Sequence, residues 1–157
     1  MRTLLLLTLL CLPAFAQQSH QDSVNQRGDQ TMGFSHDLTT HHFRLLKDGG
    51  EIIVLANDPQ DKATIDQIRL HLSHLVGMFS NGKFDAPMFI HSTNPPGVAT
   101  MARLKSDIRY TVSEIDRGGR IRIEASSPET IDAVHAFLLF QIIDHKTGDS
   151  PAIANNP

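Results

Sequence analysis

The chain predicts an α+β fold in which two pseudo-repeated β-β-α units form an antiparallel sheet of four or five strands, with their helices on one face. Three observations predict it. Thr64, Ile65 and Asp66 recur 66 residues later as Thr130, Ile131 and Asp132, and the same offset carries Ile68 to Val134, Leu72 to Leu138 and Gly82 to Gly148. Gly49 and Gly50 recur as Gly118 and Gly119 at an offset of 69, so three residues were gained or lost between hairpin and helix. In each unit two β-rich runs flank a glycine turn and lead into a helical pattern. A pseudo-twofold relation between the units follows.

Residues 1–16 start with Met1 and Arg2, continue in an apolar run and end in Ala14, Phe15 and Ala16, the pattern of an export signal cleaved after Ala16. The run is too short to span a bilayer. Cleavage removes Cys11, the one cysteine, so the mature chain holds no disulfide and no thiolate ligand. It also removes Arg2 and leaves a net charge of about −4 with neutral histidines. That balance argues against a nucleic-acid surface or a polybasic membrane patch. The expected location is periplasmic or secreted, with no membrane span in the mature form.

Residues 17–33 are Gln, Ser, Asp, Asn and Gly with almost nothing apolar, which reads as a flexible tether. A single domain follows over 34–149: repeat one at about 41–82, a connector at 83–108 and repeat two at about 109–148. Residues 150–157 read as a disordered tail.

In repeat one, His42 to Leu46 and Glu51 to Leu55 flank Gly49 and Gly50 as a hairpin, and Asp58-Pro59 ends it. From about 61 to 81, Ile65, Ile68, Leu72, Leu75 and Phe79 fall at three- and four-residue spacings, one helical stripe capped by Gly82. Pro87 to His91 reads as a short strand or extended segment, and 98–105 as a short helix with Met101 and Leu104 inward. In repeat two, alternation over 120–124 turns Ile121 and Ile123 to the core and leaves Arg120, Arg122 and Glu124 wet. Ser127-Pro128 starts the last helix, which ends at Gly148.

The chemistry concentrates in nine histidines. Gln67, His71, His74 and Met78 lie along one flank of the first long helix, whereas the second repeat has Phe137 and Phe140 where the first has His71 and His74. Two imidazoles three residues apart can share a transition metal, and a thioether favours copper. Strand alternation lets at most one of His41 and His42 join any one site. A set of His71, His74, His91, His42 and Met78 suits copper, or zinc less well. The competing reading is that His71 packs at the core edge as Phe137 does while His74 faces solvent. His145 corresponds to Phe79 and stands on the core stripe, where a helix C-terminus favours it. Haem on His71 or His145 would be non-covalent, since no Cys-x-x-Cys-His is present. No Gly-x-Ser-x-Gly elbow, His-Glu-x-x-His helix, P-loop or dinucleotide fingerprint appears, which points away from an enzyme.

The sequence Met32-Gly33-Phe34-Ser35-His36, Thr40-His41-His42-Phe43, the His71 to His74 helix, Pro95-Pro96-Gly97-Val98 and His145-Lys146-Thr147-Gly148-Asp149 together resemble a group of small exported bacterial proteins of unassigned function. The resemblance covers nearly all of the mature chain and implies no activity. The residues themselves suggest an exported small protein that binds copper, zinc or a small cofactor through the histidine-rich helix flank. The alternatives are a protein-protein interaction module, as a homodimer or with another partner, and a small enzyme using His91 or His42 as general base.

Overall fold

The computed structural model describes residues 14–154. The export-signal expectation for 1–16 lies largely outside them. In chain order the elements are α1 (Ala14–Met32), β1 (Thr39–Leu46), β2 (Gly49–Ala56), α2 (Lys62–Ser80), α3 (Asp85–His91), α4 (Val98–Arg103), β3 (Ile108–Ile115), β4 (Gly118–Ala125) and α5 (Pro128–Asp144), with single 3-10 turns before β1 and β3. The class is α+β, and the four strands form one antiparallel sheet in the order β1-β2-β4-β3. The two hairpins therefore meet through their second strands, β2 against β4. No helix of the described residues is long and apolar enough to cross a membrane.

Each β-β-α unit repeats the other in detail. The Asp61 side chain accepts from the Thr64 backbone N–H at the start of α2, and Ser127 does the same for Thr130 at the start of α5. Gly82 and Gly148 end the two copies with φ of 73° and 75°, the left-handed conformation that glycine adopts without a Cβ penalty. The three-residue difference lies in the loop before the helix, which spans 57–61 in the first unit and 126–127 in the second.

The helices cross. α2 packs on β3 and β4, whereas α5 packs on β1 and β2, so each helix covers the other unit's hairpin. Glycines make the crossing possible, because a Cβ on Gly119 would stand 2.8 Å from Leu72 Cδ1 and one on Gly50 2.2 Å from Leu138 Cδ1. Leu72 and Leu138 are fully buried there. Burial of each such side chain contributes about 1.5–3 kcal/mol relative to exposure.

The opposite sheet face carries Arg44, Glu51, Arg120 and Arg122. Glu51 is buried between Arg44 and Arg120, with each guanidinium 3.4 Å from a carboxylate oxygen, and Arg122 pairs with Asp48. These pairs keep the uncovered face polar.

Three sequence expectations change. Residues 17–33 are helical rather than a tether: α1 buries Val24 completely and places Gly28 and Met32 at four-residue steps on the same side. Three inward contacts suffice to dock an otherwise polar helix, which composition alone does not reveal. The segment from Pro87 to His91 belongs to helix α3, because Asp85-Ala86-Pro87 opens it with proline in its first turn and Ser92 ends it in the left-handed conformation. The tail lies along the β1 edge as far as Ala154, whose N–H donates to the Leu45 carbonyl at 2.8 Å. Asp149 accepts from Phe43 N–H at 2.9 Å upstream of it. The tail thus covers the Phe43 to Leu46 end of that edge. Residues 155–157 lie outside the described residues.

Candidate functional site

Crossing of the helices brings the end of α5 over β1, and four further elements, α1, β2, α2 and α3, complete a cavity there. Its walls are mostly apolar, with Phe43, Ile52, Val54, Leu72, Leu75 and Phe137 among them. Four histidines from four different elements also line it: His41 of β1, His71 of α2, His91 at the end of α3 and His145 at the C-cap of α5. Gly28 and Met32 of α1 close one side. The cavity volume is about 70 Å³. One water needs roughly 10–15 Å³ of such space, so several waters or a small organic group fit.

The rings pack around His145. Its centroid lies 4.9 Å from that of His91, edge to face, and 5.9 Å from that of His41 with the planes within 5° of parallel. Phe43 stacks on it at 5.8 Å. His71 stands edge-on to Phe34 at 5.7 Å.

Burial sets the charge state. Desolvation, with neighbouring imidazoles adding to it, lowers the His41 pKa to about 4. Burial and then His74 lower His71 to about 4. Burial, His41 and His91 lower His145 to about 3, against the opposing pull of Asp144. At neutral pH these three rings are uncharged and keep one free lone pair and one N–H each.

His91 is buried and differently held. Its Nδ1 lies 2.5 Å from Asp144 Oδ2, and its Nε2 lies 3.0 Å from Gln141 Oε1. Asp144 also contacts His20 of α1, Oδ1 to Nε2 at 2.8 Å. Burial works to raise the Asp144 pKa, but the hydrogen bonds from His20 and His91 outweigh it and leave the carboxyl below its ordinary value. Gln141 is 4 % exposed and spends only one amide atom on His91; the other is buried without a partner. Exchanging the amide oxygen and nitrogen alters which atom is orphaned and not the count. A buried amide atom left unpaired costs about 1–3 kcal/mol, and the residue that carries this one lines the cavity.

Of the residues expected to share a site, His71 and His91 line this cavity. His74 is exposed, and Met78 packs half-buried against the core. His42 points away from His41, as strand alternation demands, and its Nδ1 lies 2.9 Å from Asp149 Oδ1. Among the described residues no three His, Cys, Asp or Glu side chains are placed to hold one metal ion.

His41, His145 and Gln141 are additions to the expected set. One signal could have found the first two: at the hairpin offset of 69 His41 corresponds to Tyr110, and at the helix offset of 66 His145 corresponds to Phe79. Tyr110 and Phe79 pack together at 5.8 Å, the same pairing as His41 and His145 in the other half. No protein-family model, curated protein or solved structure matches the chain.

Proposed function

We propose that the chain is an exported small binding protein that takes a small molecule into the histidine-lined cavity between α2, α3, α5 and β1. The observation that carries this reading is Gln141, which lines a mostly apolar cavity and keeps one buried side-chain amide atom unpaired. A mostly apolar pocket with a few convergent polar groups is the usual form of a small-molecule site. A hydroxyl or amide on the ligand satisfies Gln141 and the neutral imidazoles, while its carbons fill the space against Val54, Leu72 and Phe137.

A second reading keeps a metal ion, copper or zinc, as the ligand. Its support is the set of four imidazoles around one cavity, three of them uncharged at neutral pH as coordination requires. Metal then has to draw at least three rings into a shared geometry that they do not hold beforehand.

Two titrations of the mature protein separate the readings. With 1-butanol as probe, NMR shifts that saturate at Val54, Leu72 and Gln141 support the small-molecule site, and no shifts at these residues up to tens of millimolar overturn it. Stoichiometric zinc or copper(II) binding by calorimetry, lost in His71→Phe, moves the conclusion to metal. His71→Phe places in α2 the residue that α5 already carries at the matching Phe137, so the fold tolerates it.

A further inference from the structure

His41 and His145 face two spaces at once. On one side they line the apolar cavity; on the other they line an open groove of about 400 Å³ whose remaining walls are Gln21, Asn25, His36, Thr39, Thr40, Lys146 and Thr147. Cavity and groove thus meet at a shared pair of rings. The groove is more polar than the cavity, and most of its side chains are uncharged donors and acceptors.

A second orphaned amide lies on the groove side. Gln21 and Asn25, one turn apart on α1, contact each other through one amide atom each at 3.1 Å, and the remaining buried Gln21 amide atom has no partner. As with Gln141, exchanging oxygen and nitrogen leaves one atom unpaired. Two unsatisfied amides therefore flank the His41–His145 pair, one in the cavity and one at the groove. Burying two such groups without partners is costly, and a ligand toward which the two side chains turn relieves both.

We propose that cavity and groove form one site for an amphipathic molecule, with an apolar arm of a few carbons in the cavity and an uncharged, hydroxyl- or amide-rich head in the groove. This rests on reading the cavity as a small-molecule site. Charge argues for an uncharged head. The groove lies at the C-terminal end of α5, whose negative end disfavours an anion. Lys146 is the one Lys or Arg on its wall. A cationic head would meet Lys146 and the neutral rings with no carboxylate on the groove wall to pair with. The arm is short because about 70 Å³ is roughly half the volume of an engineered apolar cavity that holds benzene.

The test compares four probes that share a butyl arm, by NMR titration of the mature protein: butyl β-glucoside, 1-butanol, pentanoate and butylamine. The expected result is that the glucoside binds at least about tenfold tighter than 1-butanol, the equivalent of ~1.4 kcal/mol. Gln21→Ala should erase that advantage and leave 1-butanol binding unchanged, which also shows that the variant is folded. Equal affinity for the glucoside and 1-butanol overturns the head-group inference while the cavity reading stands. Pentanoate binding tightest, with the gain lost in Lys146→Gln, overturns it in favour of an anionic head. Failure of all four, 1-butanol included, removes the cavity reading itself.

Discussion

The two halves of this molecule are built on one plan and finished in different chemistry. Around Phe79, the second half of the core gathers Phe84, Tyr110 and Phe137 at centroid distances of 4.7 to 6.2 Å, a solid aromatic cluster. At the pseudo-equivalent place His145 stands for Phe79, His41 for Tyr110 and His71 for Phe137, and the cavity lies between the two sets, with Phe79 and Phe137 on its wall beside the three imidazoles. The aromatic half shows what these positions do when they only stabilise. The imidazole half departs from it at three positions together, each departure replacing apolar surface by a buried polar ring at a desolvation cost. A fold that needed only packing already had the better solution at Phe79, Tyr110 and Phe137.

Acid should break the comparison most visibly. His41, His71 and His145 have folded pKa values of about 4, 4 and 3, below the ordinary 6.5. Between these limits the unfolded chain binds protons that the folded chain refuses, so stability present above pH 6.5 is lost as pH falls toward 4. Each pKa unit corresponds to about 1.4 kcal/mol, so the upper bound is roughly 3 to 5 kcal/mol per histidine, reduced by their partial exposure and mutual coupling. Urea midpoints at pH 7, 5.5 and 4 measure it. The variant His41→Tyr, His71→Phe, His145→Phe copies the aromatic half and should flatten this limb; an unchanged slope would show that the acid sensitivity arises elsewhere.

A smaller effect sharpens the comparison at the crossing points. Gly50→Ala drives its Cβ against both Leu138 Cδ1 and the Arg44 carbonyl, at 2.2 and 2.5 Å, and backbone does not yield. Gly119→Ala meets the movable end of Leu72 at 2.8 Å and a carbonyl only at 3.5 Å. Thermal melts should show Gly50→Ala costing about 2–3 kcal/mol and Gly119→Ala about 1 kcal/mol or less. Equal costs would mean that both helices rest on the sheet with the same tolerance.

The smallest effect concerns Tyr110, the aromatic counterpart of His41. Its hydroxyl is buried without a partner, and burial pushes its pKa up. Tyr110→Phe removes an unsatisfied group and should change stability by between zero and about 1 kcal/mol in the favourable direction. A loss above 1 kcal/mol by chemical denaturation would reveal a hydrogen bond to ordered water at that oxygen.

Much of the fold was legible because it rests on local rules. The 66-residue offset, the helical stripe through Ile68 and Leu72, the cap at Ser127 and the glycine turns each depend on residue types and spacings that the sequence itself displays. Alternation in β4 correctly divided Ile121 and Ile123 from Arg120 and Arg122. The reading failed where a few long-range contacts overrule composition. Val24 and the hydrogen bond from Arg27 to the Ile90 carbonyl anchor a helix that looked like a tether.

The candidate site divides the same way. By itself the sequence determined that the chain is a doubled β-β-α unit, that one copy is histidine-rich where the other is aromatic, and that His41 and His42 face opposite ways, because periodicity and alternation are properties of the backbone. Only the tertiary structure decided which histidines meet. Each helix lies over the other unit's hairpin, so His145 joins His41 across more than a hundred residues while His74, one turn from His71, is left in solvent. Helix crossing depends on which glycine admits which leucine, a question of space between distant segments that no local pattern encodes.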